Sequence, residues 1–169
     1  MPIAVQEPTP NPTIGIYRNL ARIDEAVTRP LQGLLSGTVR AINGSSFWAG
    51  KVRFDEARFR LNATKALTPD WDSYGADAPN ALARDLAAKV LTRLEQASMP
   101  PALLIPSAEG GIAISFVEGM NRAEIEVYNT GEIMAATYSG QGDPAIWELD
   151  ISESKLKSAI AAIRVRLAA

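Results

Sequence analysis

Six carboxylates and one phenol are the groups in this sequence whose types and spacing could do chemistry: Asp70, Asp72, Glu109, Glu118, Glu124 and Glu126, with Tyr74. Paired carboxylates can act as acid and base, or hold a hard cation through oxygen. Glu124 and Glu126 stand at i and i+2 in Ala123-Glu124-Ile125-Glu126-Val127. On an extended segment that spacing puts both on one face, close enough to share a metal. They are the weak candidates for a carboxylate-dependent metal enzyme. The opposing reading is that strand carboxylates face water, solvate that side of the sheet and guard against edge aggregation. The rest of the composition restricts the chemistry further, because the chain has no His and no Cys. Imidazole bases, thiolate nucleophiles, Cys/His zinc sites and disulfides are thereby excluded. Any metal site would be oxygen-liganded, favouring Mg²⁺, Ca²⁺ or Mn²⁺. No residue is assigned a catalytic role, and no cofactor is expected.

The stretch with most individuality is Trp71-Asp72-Ser73-Tyr74-Gly75-Ala76. An Asp between two aromatics in a loop suits a partner hot spot, which makes Trp71, Asp72 and Tyr74 candidate partner-binding residues. A purely architectural reading competes with it. Trp71 would plug the end of the core, largely buried where the loop meets the sheet, and Asp72 would bond to nearby amides and fix the entry of the following helix. Together with Pro106 and the Glu109-Gly110-Gly111-Ile112 opening of a hairpin, this loop resembles a group of small, poorly characterised bacterial proteins. The resemblance covers roughly residues 67–150, where Phe116 matches the aromatic that usually ends the following strand. It implies kinship and no established activity.

The glycine-rich segments carry less. Glu109-Gly110-Gly111 could cradle a phosphate against glycine amides, but such a pair also serves as a plain entry to a strand. Gly140-Gln141-Gly142-Asp143-Pro144 lies between strands and lacks the third glycine and helix of a dinucleotide site. No P-loop, nucleophile elbow or deaminase motif is present.

Charge is unevenly distributed. Residues 1–67 carry nine Lys/Arg against five acids, while residues 68–169 carry eight against fourteen. In the basic half, Arg53, Arg58, Arg60 and Lys65 interleave with Phe47, Trp48, Phe54 and Phe59. That pattern makes the four cations candidates for a nucleic-acid contact, with stacking aromatics between them. Phe47 and Trp48 are further partner-binding candidates. The alternative is that the cations line the wet face of amphipathic segments, since they do not cluster as a polybasic arm.

The elements that must position these groups follow from periodicity. Four prolines between Pro2 and Pro12 predict an extended or disordered lead over 1–13. A mainly helical, basic extension is expected over 14–67, from Tyr17, Leu20, Ile23 and Val27 before Pro30 and from the 31–42 pattern after it. Residues 47–67 are ambiguous between strand and helix, with helix favoured by the good helix formers from Ala57 onwards. The 68–169 segment predicts an α+β domain. Asn80 caps a helix with the stripe Leu82, Leu86, Val90, Leu91, Leu94 and Ala97, stopped at Pro100-Pro101.

Five short β-rich runs begin at Leu103, Ile112, Ala123, Ile133 and Ile146, joined by turns too short for parallel crossovers. Asp150 and Glu153 suggest a capping-box start to a last helix buried along Leu156, Ile160, Ile163 and Leu167. The fold class expected is therefore α+β: an antiparallel meander of four or five strands packed against two helices, with its second face freer. Nothing resembles a membrane span or signal peptide, so a soluble, cytoplasmic protein is expected. The functional expectation is a non-catalytic protein that binds another protein or a second copy of itself, in the manner of an immunity protein, antitoxin, anti-defence factor or accessory subunit. A nucleic-acid-associated protein is the first alternative and the carboxylate enzyme the second.

Overall fold

The computed structural model describes residues 45–139 and 144–168, with 45–48 and 153 described by backbone alone. The expected lead over 1–13, the helical stretches expected within 14–42 and the 140–143 loop lie outside the described residues. No described helix is long and apolar enough to cross a membrane.

A five-stranded antiparallel sheet forms the centre, in the order β1 (Leu103–Ser107), β2 (Gly111–Glu118), β3 (Asn121–Tyr128), β4 (Ile133–Tyr138) and β5 (Ala145–Glu148). Every strand pairs with its neighbour in sequence, as expected for a meander. The β2–β3 and β3–β4 reversals place Gly119 and Gly131 at positive φ, where a side chain would be strained.

Helix wins over strand in the ambiguous basic region. Helix α1 spans Ser45–Ala63 and runs into one 3₁₀ turn, Thr64–Ala66. Phe54, Ala57 and Leu61 fall on one face at helical spacing and are buried. Val52 and Phe59 are exposed, so Val52/Phe54 and Phe59/Leu61, spaced two apart as on a strand, lie on the two sides of one helix. Helix α2 spans Ala81–Gln96 and begins with Asn80 accepting the amide of Ala83 at 2.9 Å. Leu86, Val90, Leu91 and Leu94 are buried as expected, joined by Ala83 and Ala87, whereas Leu82 is exposed. The helix stops before the prolines. Ser98 turns left-handed, its amide meets the carbonyl of Glu95, and the Met99 amide meets that of Leu94, closing the last turn.

Helix α3, Glu153–Leu167, buries Leu156, Ile160, Ile163 and Leu167. Its start differs from a capping box. Ser152 is the N-cap and makes no side-chain cap bond. Asp150 instead accepts the amide of Ser152 at 2.7 Å and pairs with Lys155 at 2.8 Å. The Lys155 contact, with the Ser152 amide second, draws the Asp150 carboxyl down to about 2.

All three described helices join one core with Leu104, Ile112, Ile114, Phe116, Ala123, Ile125, Val127, Ile133 and Ala135. Helix α1 therefore shares the core of the sheet, and three helices rather than two cover this side. The other side corrects the expectation of a freer face. Ala113, Ser115, Glu124, Glu126 and Ala136 are completely buried there. Alternation puts Glu124 and Glu126 on the face opposite Ile125, but polarity alone does not make that face exposed. Hydroxyls of Ser107 on β1, Ser115 on β2 and Tyr128 on β3 itself bond the two carboxyls, and a bonded polar group can be buried.

Candidate functional site

The loop between α1 and α2 is held by its own carboxylates. Asp72 Oδ1 accepts the amides of Tyr74 at 2.9 Å and Ala76 at 3.1 Å. Asp70 Oδ1 accepts the Gly75 amide at 2.7 Å, its carbonyl accepts that of Ser73 at 3.0 Å, and its own amide donates to Ala76 at 2.9 Å. The expected role of Asp72 as an acceptor for loop amides is met, and Asp70 adds an unforeseen second anchor. Asp70, Ser73 and Gly75 all adopt positive φ, two of them with side chains that make this conformation unfavourable. Trp71 is only partly buried and donates its indole N–H to the Asp77 carbonyl at 3.3 Å. The ring thus braces the loop, short of the largely buried position expected for it. Tyr74 projects from the tip, 89% exposed.

Asn129, in the β3–β4 turn, clasps this loop to the sheet. Its Oδ1 accepts the Asn80 amide at 2.8 Å, its Nδ2 donates to the Ala78 carbonyl at 3.0 Å, and its carbonyl accepts Asn80 Nδ2 at 2.8 Å. Its own amide donates to Gly110 at 3.0 Å. The Glu109-Gly110-Gly111 turn is therefore part of the same end of the molecule. A Cβ on Gly110 would lie 3.4 Å from the Asp77 Cβ, and one on Gly111 would lie 2.1 Å from the Val127 carbonyl oxygen. Close approach of the Val127 backbone accounts for Gly111, and a positive φ of 82° beside the Asn129 and Asp77 side chains accounts for Gly110.

Beneath that end lies a carboxyl–hydroxyl cluster. Glu126 accepts from the Ser107 hydroxyl through Oε1 and from the Tyr128 hydroxyl through Oε2, the latter at 2.8 Å. Ser107 Oγ in turn accepts the Glu109 amide at 3.2 Å. One strand position along, Ser115 donates to Glu124 Oε2 at 3.1 Å. Burial pushes the Glu126 carboxyl above its ordinary range. The two hydroxyl bonds pull it back and nearby Glu109 adds to the rise. Burial, then the charge of Glu126 and its hydrogen bond, push the Tyr128 phenol up. Tyr128 is thus a neutral donor at physiological pH, and both oxygens of Glu126 are engaged by hydroxyls.

Glu124 and Glu126 share a face, as their spacing requires, but inside the protein. Among the described residues no group of three or more Asp or Glu side chains is arranged to hold a metal. Glu118 sits at the opposite end of β2, paired in register with Asn121, away from this cluster. The sequence singles out neither Ser107 nor Tyr128, and marks Asn129 only as part of the Asn129-Thr130-Gly131 reversal. The one available signal was the repeat of polar residues at 122, 124, 126 and 128 along β3, which continues to a tyrosine rather than ending at Glu126.

The basic candidates are dispersed along α1. Arg58 forms a two-pronged pair with Glu95 of α2 at 2.5 and 3.3 Å, and Arg60 pairs with Glu56 at 2.7 Å. Lys51 pairs with Asp55 at 3.1 Å. Arg53 and Lys65 form no ion pair among the described residues. Phe47 and Trp48 lie in the first turn of α1, and their side chains are outside the described set. Phe54 is buried in the core and unable to stack on a base, while Phe59 is exposed. No family model, no curated protein and no solved structure matches this chain.

Proposed function

We propose that this protein is a non-catalytic binding module that recognises another protein through the Tyr74 loop. The observation that supports this reading is an aromatic ring held 89% exposed on a backbone that is tightly prearranged. Two carboxylates bond three loop amides, three residues sit at positive φ, and Asn129 ties the loop base to the sheet. Left-handed conformations at Asp70 and Ser73 oppose folding, and Tyr74 offers no burial in return. Such an arrangement makes sense where a large amphipathic side chain must meet a partner with little entropy left to lose.

The carboxyl–hydroxyl cluster supports the same reading rather than the enzyme alternative. Its hydroxyls bond both oxygens of Glu126 and Oε2 of Glu124, tying β1, β2 and β3 together behind the loop's anchor at Asn129. The nucleic-acid alternative is weakened by the pairing of Lys51, Arg58 and Arg60 with acids. An immunity protein, antitoxin, anti-defence factor or accessory subunit, acting in the cytoplasm, remains the biological class we favour.

The test is to isolate the partner from the native host with the intact chain, then compare Tyr74→Ala and Asp72→Ala. Tyr74→Ala should keep the wild-type melting temperature within the scatter of surface substitutions and lose the partner about tenfold or more. A partner that binds Tyr74→Ala as tightly as wild type sinks the proposal.

A further inference from the structure

At the end of the sheet opposite the Tyr74 loop, Arg53 stands where two clefts meet. One, about 290 Å³, runs between α1 and the edge strand β1 and is walled by Val52, Ala57, Leu103 and Leu104. The other, about 440 Å³, runs past the ends of α2 and α3 and is walled by Met99, Phe116, Val117 and Leu167. Arg53 and Ala102 line both. Both clefts thus present apolar side chains among their walls and share one cation.

That cation differs from its neighbours on the helix. Lys51, Arg58 and Arg60 each hold a carboxylate, whereas Arg53 makes no hydrogen bond or ion pair among the described residues. The other cations at the rims are engaged. Arg60 is held by Glu56, and Arg164 donates to the Ala97 carbonyl at the end of α2. Glu118 lines the second cleft, and Glu56 the first. Glu56 is already paired with Arg60, so the position open to an incoming anion is at Arg53. A guanidinium with free donors between two apolar troughs matches a carboxylate flanked on both sides by apolar side chains.

We infer that this double cleft is a second docking surface, and that its occupant is a short acidic segment of a partner protein, with one Asp or Glu on Arg53 and an apolar side chain in each cleft. Charge complementarity selects the acidic residue, and the apolar wall residues of the two clefts select its flanks. A nucleic acid would need several open cations along a track, and this surface offers one.

The experiment is selection of a displayed random-peptide library on the immobilised full chain, followed by fluorescence anisotropy with a synthetic peptide of the recovered sequence. Recovered peptides should carry Asp or Glu between apolar residues. Arg53→Glu should weaken the peptide at least tenfold, Arg53→Lys by less, and Tyr74→Ala by less than twofold. Melting temperature should be unchanged in all three, because Arg53 is exposed and partnerless among the described residues. The inference is overturned if no Arg53-dependent peptide is recovered, if Tyr74→Ala abolishes the same peptide, or if a DNA or RNA oligonucleotide displaces it through Arg53.

Discussion

Glu126 is the residue whose surroundings make the sharpest demand. Its carboxyl is buried on the sheet face opposite the helices, bonded by Ser107 and Tyr128, and burial raises it above the ordinary glutamate range. The folded state therefore holds this proton more tightly than the unfolded chain does. Below the unfolded value both states are protonated and the stabilisation is complete. As pH rises from that value through the raised folded one, the unfolded chain releases its proton first, and this residue's contribution to stability falls. Glu126→Gln removes the titration while retaining an amide that can meet both hydroxyls. Urea unfolding from pH 4 to 8 should show the Gln variant gaining on wild type as pH rises. A constant difference across that range would defeat the assignment. Asp72→Ala removes an acceptor from two amides and should cost about 1–2 kcal/mol. Trp71→Ala should cost about 1–3 kcal/mol, less than the ~3–5 of a fully buried Trp, because the ring is only partly covered. The same melts on the two variants measure both.

At the scale of elements, the β1–β2 reversal is the least forgiving. A Cβ at Gly111 would lie 2.1 Å from the Val127 carbonyl oxygen, a backbone atom fixed by the β2–β3 ladder. Gly111→Ala should then destabilise by several kcal/mol, about 3 or more, or prevent folding, because neither strand can retreat without breaking paired bonds. Gly75→Ala, where an added Cβ meets nothing within 4 Å, should cost only the positive φ, about 1 kcal/mol. Parallel denaturation curves of the two distinguish crowding from conformational strain.

The contrast shows what was legible in the residues. Turns, caps and apolar stripes are local, so the meander, Asn80 and the Leu156–Leu167 face could be read directly. The helical choice for α1 also followed from composition, although its share in the sheet's core did not. Burial of Glu124 and Glu126 could not be read, because alternation gives the face and not what that face meets. The Asn129 clasp joins residues 49 to 51 positions apart, a distance over which a turn motif carries no sign of its partner.

For the whole molecule, the loop's attachment decides whether binding is prearranged or induced. The loop is joined through Asn129 and Gly110 to β2 and β3, the inner strands with the longest ladders, while β5 is a four-residue edge strand that is mostly half-buried. Opening should therefore begin at β5 and reach the β2–β3 pair only on global unfolding. The amides of Tyr74, Gly75 and Ala76 point at Asp72 and Asp70, so they should exchange with solvent more slowly than those of an ordinary exposed loop. Asn129→Ala leaves those three bonds intact but removes the side-chain bonds to Asn80 and Ala78, at about 1–3 kcal/mol. It should accelerate exchange across the loop without altering β3. Hydrogen exchange followed by mass spectrometry or NMR reads all of this on the free protein. If the loop is prearranged, partner binding should slow these amides little beyond their free rates, and Asn129→Ala should weaken the partner while Tyr74 remains in place. Rapid exchange in the free chain with strong protection on binding would mean that the partner, rather than Asp70, Asp72 and Asn129, orders the loop.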